Sequence, residues 1–235
     1  MNKAELRAKG RKKCWSPSQR FWLEVSLYLT TPFVNSPITP NMITIAWIIL
    51  EFIAAYLFAQ GNYLVNIIAV ILFNFIVLLG DHLDGNLARM KEQFSLLGPY
   101  LEQMGLFFGT PLIFLGLAIG NYSRFHNLLF LFIGIAGVFF WLYEKLIRIN
   151  PVWFGEDKIN LIRKVYGQAS FGSSPILAIL VEPFRRGQPF NLLFFLIIFD
   201  YTQAASLLYS AFFALEFCRK FASTILNINK IPKSA

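Results

Sequence analysis

The sequence predicts an all-α membrane protein, in which a bundle of six transmembrane helices follows a basic amphipathic N-terminal segment. Of the 235 residues, 56% are hydrophobic and only 14% are charged, whereas soluble domains carry roughly half and a quarter. The hydrophobic residues also gather into runs of about eighteen, the length that a helix needs to cross a hydrocarbon layer of about 30 Å. A soluble helical protein would instead carry polar stripes along its helices.

The first two predicted crossings form a helical hairpin. Met42 to Ala59 and Tyr63 to Gly80 are apolar runs joined by a short polar turn at Gln60–Asn62. Two prolines precede the first run and rule out a continuous helix there. Thr39 or Asn41 is therefore expected to cap the first helix of the hairpin.

Four further crossings are predicted in the rest of the chain. They are Gly98 to about Gly120, Asn127 to Tyr143, Ser170 to Val181, and Phe190 to Phe217, which is interrupted by Asp200 near its middle. A polar turn at Asn121–His126 is expected between the first two. Ser170 to Val181 is the weakest of the four, because it is the shortest apolar stretch.

Basic residues predict the orientation of the bundle. Short loops rich in Lys and Arg stay in the cytoplasm, and counting Ser170 to Val181 as a crossing places more of these residues there. Both termini, the segment Asp81 to Gly98 and the loop Lys145 to Gln168 are therefore predicted to face the cytoplasm. The same topology places Arg185 and Arg186 outside, against the general rule.

The net charge of +8 favours a membrane surface over nucleic acid, because the basic residues lie at the ends of apolar runs. We divide the chain into a basic interfacial segment (1–35), a transmembrane domain (36–226) and a basic tail (227–235). The first segment suits an amphipathic stretch lying on anionic headgroups. A solvated basic tail is the alternative interpretation.

One polar stretch follows the second apolar run and carries the candidate functional residues. On a helix, Asp81, Asp84, Gly85 and Ala88 share one face, so two carboxylates lie beside small residues that leave space above the backbone. Oxygen ligands of this kind suit Mg²⁺ or a similar hard cation. The alternative is an acidic helix end in which Arg89 pairs with Asp84.

The spacing of this stretch resembles the signature of the CDP-alcohol phosphotransferase family, D-x2-D-G-x2-A-R-x8-G-x3-D-x3-D. The matching residues are Asp81, Asp84, Gly85, Ala88, Arg89 and Gly98. The preceding segment Ile38–Thr44 is similar to the one that opens the family's first membrane helix. The resemblance implies a cytoplasm-facing site that binds a CDP-alcohol and Mg²⁺ or Mn²⁺. In that family, an acceptor hydroxyl attacks the phosphorus of the donor and CMP leaves.

The resemblance also implies a role for each matching residue. Asp81 and Asp84 would be metal ligands, with Glu102 as the third. The nucleotide would bind at Gly85, Ala88, Arg89 and Gly98, with Arg89 orienting the motif or meeting phosphate. The expected donor is CDP-diacylglycerol and the expected acceptor a small alcohol, in phospholipid biosynthesis. The resemblance is compatible with a homodimer.

Two positions depart from the signature. Glu102 stands at the third Asp, and Leu106 stands at the fourth, where the family's general base is expected. Glu102 could serve as both ligand and base, or Glu51 or Asp200 could substitute for the base. Alternatively, the protein could bind nucleotide or lipid without turnover. We favour an enzyme, because six signature residues are kept. A small transporter would explain the helices but not the spaced signature.

Overall fold

A computed structural model of the chain describes residues 5, 8, 17–149, 184 and 191–228, and no strand occurs among them. The structure does not describe the side chain of Leu106. The described helices are α1 (Pro17–Thr30), α2 (Pro40–Ala59), α3 (Tyr63–Ile71), α4 (Leu78–Lys91), α5 (Leu97–Phe125), α6 (Leu128–Ile149), α7 (Leu192–Ile198) and α8 (Thr202–Ile228).

Three helical segments in the described part are long and apolar enough to cross a membrane. They are Pro40–Ala59, Tyr63–Lys91 and Leu97–Phe125, and Leu128–Tyr143 is a shorter apolar helix. The chain is therefore an integral membrane protein of helical class. The total of six crossings stays a prediction, because the fifth predicted crossing, Ser170 to Val181, lies outside the described residues.

The predicted hairpin of α2 and α3 is present, with a side-chain cap on each helix. The Thr39 hydroxyl accepts a hydrogen bond from the Met42 amide, and Pro40 occupies the first turn. At the other end of the hairpin, the Asn62 side chain accepts hydrogen bonds from the Leu64 and Val65 amides. Thr39 is thus confirmed as the cap, and the caps satisfy amides that an apolar surrounding would leave unpaired.

The helix that begins at Tyr63 does not end at Gly80 but continues to Lys91. It passes through a π-helical segment, Leu72–Val77, and ends where Glu92 adopts a left-handed φ of 56°. A π-helical turn shifts the phase of a helix. The residues that α4 turns towards the neighbouring helices are therefore out of register with the residues that α3 buries. All predicted site residues lie on α4 or later in the chain.

The predicted polar turn Asn121–His126 is shorter in the structure. Helix α5 continues to Phe125, and the chain reverses at His126, which has a φ of 51°. Asn121 is buried, and its amide donates to the Thr202 carbonyl at 2.9 Å and to the Ser206 hydroxyl at 2.7 Å. The side-chain amide of Asn121 is hydrogen-bonded to α8 instead of water, so Asn121 does not end helix α5.

The structure confirms that Asp200 interrupts the last predicted run, Phe190 to Phe217, but the chain reverses there and does not continue as one crossing. Helices α7 and α8 fold back on each other at Asp200, which has a φ of 63°. The Leu193 amide donates to the Tyr209 hydroxyl at 3.0 Å, which fixes the two helices side by side. Asp200 therefore lies in a turn and not in the middle of a helix.

Glycines allow α5 to lie very close to α2. The contact between these two helices is the largest helix–helix contact in the described part of the chain. A Cβ at Gly105 would overlap the Trp47 ring, and one at Gly109 would overlap the Glu51 carboxyl. A Cβ at Gly116 would overlap the backbone carbonyl of Ala55. These glycines bring the two helices together, as small residues commonly do between membrane helices.

Gly116→Ala is expected to destabilise the protein by about 2 kcal/mol, because the added methyl meets backbone that has no rotamer to change. Ile119→Ala on the same helix is the matched control, since Ile119 is exposed. Denaturant unfolding in detergent, followed by tryptophan fluorescence, measures both variants. Equal stability of Gly116→Ala and the wild type would contradict the close packing.

Candidate functional site

A cavity of about 250 Å³ opens where the start of α2, the end of α4 and the start of α5 meet. Six of the seven predicted site residues line this cavity: Asp84, Gly85, Ala88, Arg89, Gly98 and Glu102. Three residues of α2 also line it, Pro40, Asn41 and Thr44, together with Gln93, Phe94, Ser95 and Pro99. The predicted site residues are therefore mostly brought together at one cavity, although the sequence did not indicate the contribution of α2 to its walls.

Asp84 is held at the cavity by donors from α2. Its Oδ2 accepts hydrogen bonds from the Thr44 hydroxyl at 2.7 Å and from the Trp47 indole N–H at 2.9 Å. Its Oδ1 accepts from the Gly85 amide at 2.5 Å. These donors fix the orientation of the carboxylate. Thr44 and Trp47 were missed by sequence reasoning, although they lie three residues apart on one face of α2.

Gly85 and Arg89 form the cavity floor together. A Cβ at position 85 would lie 3.3 Å from the Arg89 Nη1, so the guanidinium covers the glycine. The Nη2 of Arg89 donates to the Asn86 Oδ1 at 2.6 Å. Arg89 also lies near enough to Asp84 for their opposite charges to attract. The floor therefore presents one cation and one carboxylate to the cavity.

The mouth of the cavity is closed on one side by a link between α2 and α5. The Asn41 side chain donates to the Ser95 hydroxyl at 3.2 Å, and that hydroxyl accepts from the Gly98 amide at 3.0 Å. Ser95 therefore caps the first turn of α5 while it is bonded to α2. This places Gly98 against the cavity, and the Asn41 Oδ1 would lie 3.4 Å from a Cβ there.

Asp81 is the predicted site residue that does not line the cavity. It lies two turns before Ala88, about 10 Å deeper along the helix axis. Its carboxylate is 28% exposed and lies 3.8 Å from the His82 Nδ1. The four positions predicted to share one face are therefore on one helix, but Asp81 lies below the cavity floor.

Glu102 is exposed and lines the wall that α5 contributes, on the same cavity as Asp84. Within the described residues, no three His, Cys, Asp or Glu side chains lie close enough to hold a metal ion. The donor chemistry nevertheless fits. Mg²⁺ is commonly bound by one or two carboxylates together with waters and substrate phosphates, without a complete protein cage.

A sequence model of CDP-alcohol phosphatidyltransferases matches residues 37–215 of the chain. The chain belongs to the CDP-alcohol phosphatidyltransferase family. A search of curated proteins finds no match. Membership in the family implies CDP-alcohol phosphotransferase activity in phospholipid synthesis, CDP-alcohol substrates and a bilayer environment. CDP-alcohol phosphatidyltransferases are in general dependent on divalent metal ions.

Asp200 does not lie near the cavity of this phosphatidyltransferase. It forms a two-pronged ion pair with Arg124 at the opposite end of α5, with Arg124 Nη2 2.7 Å from its Oδ2. Arg124 follows Gly98 by about 39 Å along the helix axis. The Arg124 guanidinium holds the pKa of Asp200 below its ordinary value. Asp200 is therefore wrong as a substitute base.

Glu51, the other carboxylate considered as a base, is fully buried and packs on Gly109. It lies one turn beyond Trp47 along α2, and it does not line the cavity. Of the three carboxylates that sequence reasoning offered in place of the missing Asp, only Glu102 lies on the cavity wall.

Asp200→Asn is expected to leave CMP release unchanged and to reduce stability by less than about 1 kcal/mol, because both partners are about one-third exposed. A lowered pKa means that the ion pair stabilises the fold above about pH 4 and is lost as the pH falls through the lowered pKa. Thermal unfolding at pH 7 and pH 3 measures the difference. A large loss of activity in Asp200→Asn would contradict this assignment.

Proposed function

We propose that this protein transfers a substituted phosphoryl group from CDP-diacylglycerol to a small alcohol acceptor, with release of CMP, in phospholipid biosynthesis. The observation that supports this most strongly is the single cavity lined by Asp84, Gly85, Ala88, Arg89, Gly98 and Glu102. Residues from two stretches of the signature, on two different helices, meet there. That convergence is what a binding site for one substrate requires.

The nucleotide half of the donor binds against the small residues. Gly85 and Ala88 leave room above α4 for the CDP moiety, and Gly98 does the same at the start of α5. Arg89 provides the positive charge for the diphosphate on the floor of the cavity, where a guanidinium can make paired hydrogen bonds to phosphate oxygens.

Asp81, Asp84 and Glu102 would hold Mg²⁺ or Mn²⁺. When bound, such an ion neutralises the diphosphate and stabilises charge on the departing CMP oxygen. Asp84 is prepared for this role, since Thr44 and Trp47 fix its carboxylate before any substrate arrives. Asp81 lies deeper on α4, so it would act from below the cavity floor.

Glu102 is the proposed catalytic base. Its carboxylate takes the proton of the acceptor hydroxyl as the hydroxyl oxygen attacks the donor phosphorus, and the bond from phosphorus to the CMP oxygen breaks. Its exposure on the cavity wall gives it access to an acceptor from the aqueous side. A glutamate also reaches farther than the aspartate that the signature has at this position.

A second candidate is a family member that binds nucleotide or lipid without turnover. Leu106 favours it, because leucine cannot take a proton at the position of the usual base.

The proposed architecture is a six-crossing domain over 36–226, preceded by the basic segment 1–35 and followed by the tail 227–235. Both termini and the cavity face the cytoplasm, in line with the distribution of basic residues. Within this topology, Ser170 to Val181 is the fifth crossing, and Thr202–Ile228 contributes to the sixth. The protein acts in the bilayer and not on nucleic acid, and the family resemblance is compatible with a homodimer.

CMP release by the purified protein in detergent, with CDP-diacylglycerol, Mg²⁺ or Mn²⁺ and a panel of alcohol acceptors, tests the function directly. Acceptor-dependent release is expected, and Asp84→Asn should reduce it by at least about 100-fold because the metal loses a charged ligand. Binding of CDP-diacylglycerol without release by any acceptor would support the second candidate.

Glu102→Gln is expected to lower turnover by about 10²–10⁴-fold, because the amide cannot take the proton. Leu106→Asp, which restores the signature residue, should raise it. The matched control is Gln103→Glu, which places a carboxylate on an exposed neighbour outside the cavity lining. Full activity of Glu102→Gln would exclude Glu102 as the base.

A further inference from the structure

A row of buried polar side chains connects the N-terminal helix to the cavity floor. The Asn86 Nδ2 donates to the Ser26 hydroxyl at 2.7 Å, and the Arg89 Nη2 donates to the Asn86 Oδ1 at 2.6 Å. Ser26 and Asn86 are both 0% exposed. The two hydrogen bonds form one continuous path from α1 through α4 to a residue that lines the cavity.

The direction of each hydrogen bond in this row is fixed. The Ser26 hydroxyl donates its hydrogen to the Leu23 carbonyl at 2.8 Å, so it meets Asn86 as an acceptor. Asn86 must therefore point its NH₂ group at Ser26 and its carbonyl oxygen at Arg89. The reverse orientation would place two donors, the amide and the guanidinium, against each other.

Apolar contacts shield the row from water. Leu23 and Leu27 of α1 pack with Met90 of α4 in a buried cluster beside the Ser26–Asn86 hydrogen bond. In such a surrounding, a polar group that loses its partner costs more than the same group in water. The orientation of Asn86 is thus strongly coupled to the docking of α1.

The orientation of Asn86 matters because Arg89 has a long side chain with many rotamers. Its guanidinium covers Gly85, where a Cβ would lie 3.3 Å from Nη1. A guanidinium has five N–H donors, so the bond to Asn86 uses one of them while fixing the plane of the group. A fixed plane lowers the entropy cost of binding a phosphate.

We propose that Ser26 and Asn86 are positioning residues that hold the Arg89 guanidinium on the cavity floor in the orientation that receives the diphosphate of the donor. Helix α1 is then part of the site and not only a membrane anchor. This inference rests on the proposed function, in which Arg89 meets phosphate. Asn86 occupies an unspecified position of the signature, so the signature itself assigns it no role.

The experiment measures the affinity of CMP, in the presence of Mg²⁺, for the full chain in detergent by titration calorimetry. Asn86→Ala should weaken binding by about 10-fold, and Arg89→Met by about 100-fold, since these variants lose hydrogen bonds to or from a charged group. Ser26→Ala, a milder change, should weaken it by about 3-fold. Thr30→Val is the matched control, because Thr30 is an equally buried α1 residue whose hydroxyl bonds within the helix.

A double-mutant cycle separates positioning from simple stability. If Ser26 and Asn86 act through Arg89, adding Ser26→Ala or Asn86→Ala to Arg89→Met should weaken CMP binding no further. A purely structural role would give equal losses in both backgrounds.

Each outcome has a distinct meaning. Wild-type affinity in Ser26→Ala and Asn86→Ala, or losses that add to that of Arg89→Met, would overturn the positioning role and leave the proposed function standing. A wild-type protein that binds neither CMP nor CDP-diacylglycerol would overturn both.

Discussion

The site depends on one half-buried carboxylate and its two donors from another helix. A charged group near the membrane boundary is costly unless it is hydrogen-bonded or compensated. Asp84 meets this requirement through Thr44 and Trp47, and these bonds attach the signature helix α4 to α2. Trp47 in turn packs on Gly80 of α4 and Gly105 of α5. The residue that orients Asp84 therefore also sets the distance between the three helices around the cavity.

The sequence predicted the part of the site that lies within one helix. Asp84, Gly85 and Ala88 follow from helical periodicity, and the Thr39 cap follows from a local side-chain preference. The contacts of Ser26 and Trp47 could not be predicted, because they join residues about 60 and 37 positions away in the chain and leave no periodic signal. Only the packing of the helices brings these partners together.

Polar residues inside apolar runs caused the errors in helix boundaries. Asn121 was expected to mark a turn, but it lies inside α5 because α8 satisfies its amide. Asp200 was expected to interrupt one crossing, but it lies in a turn where the chain reverses and Arg124 binds it. A hydropathy scale scores both residues as polar and so does not distinguish the two cases. Whether a polar residue ends a helix depends on the availability of a tertiary partner, which a sequence window does not contain.

The two ends of the bundle carry different arrangements of charge. At the far end, Arg124 and Asp200 neutralise each other in one ion pair. At the cavity end, Asp84 and Glu102 share a cavity with Arg89, while Lys91 donates to the Ser36 and Ile38 carbonyls. Carboxylates and a guanidinium around one cavity suit a ligand that carries phosphate and a cation.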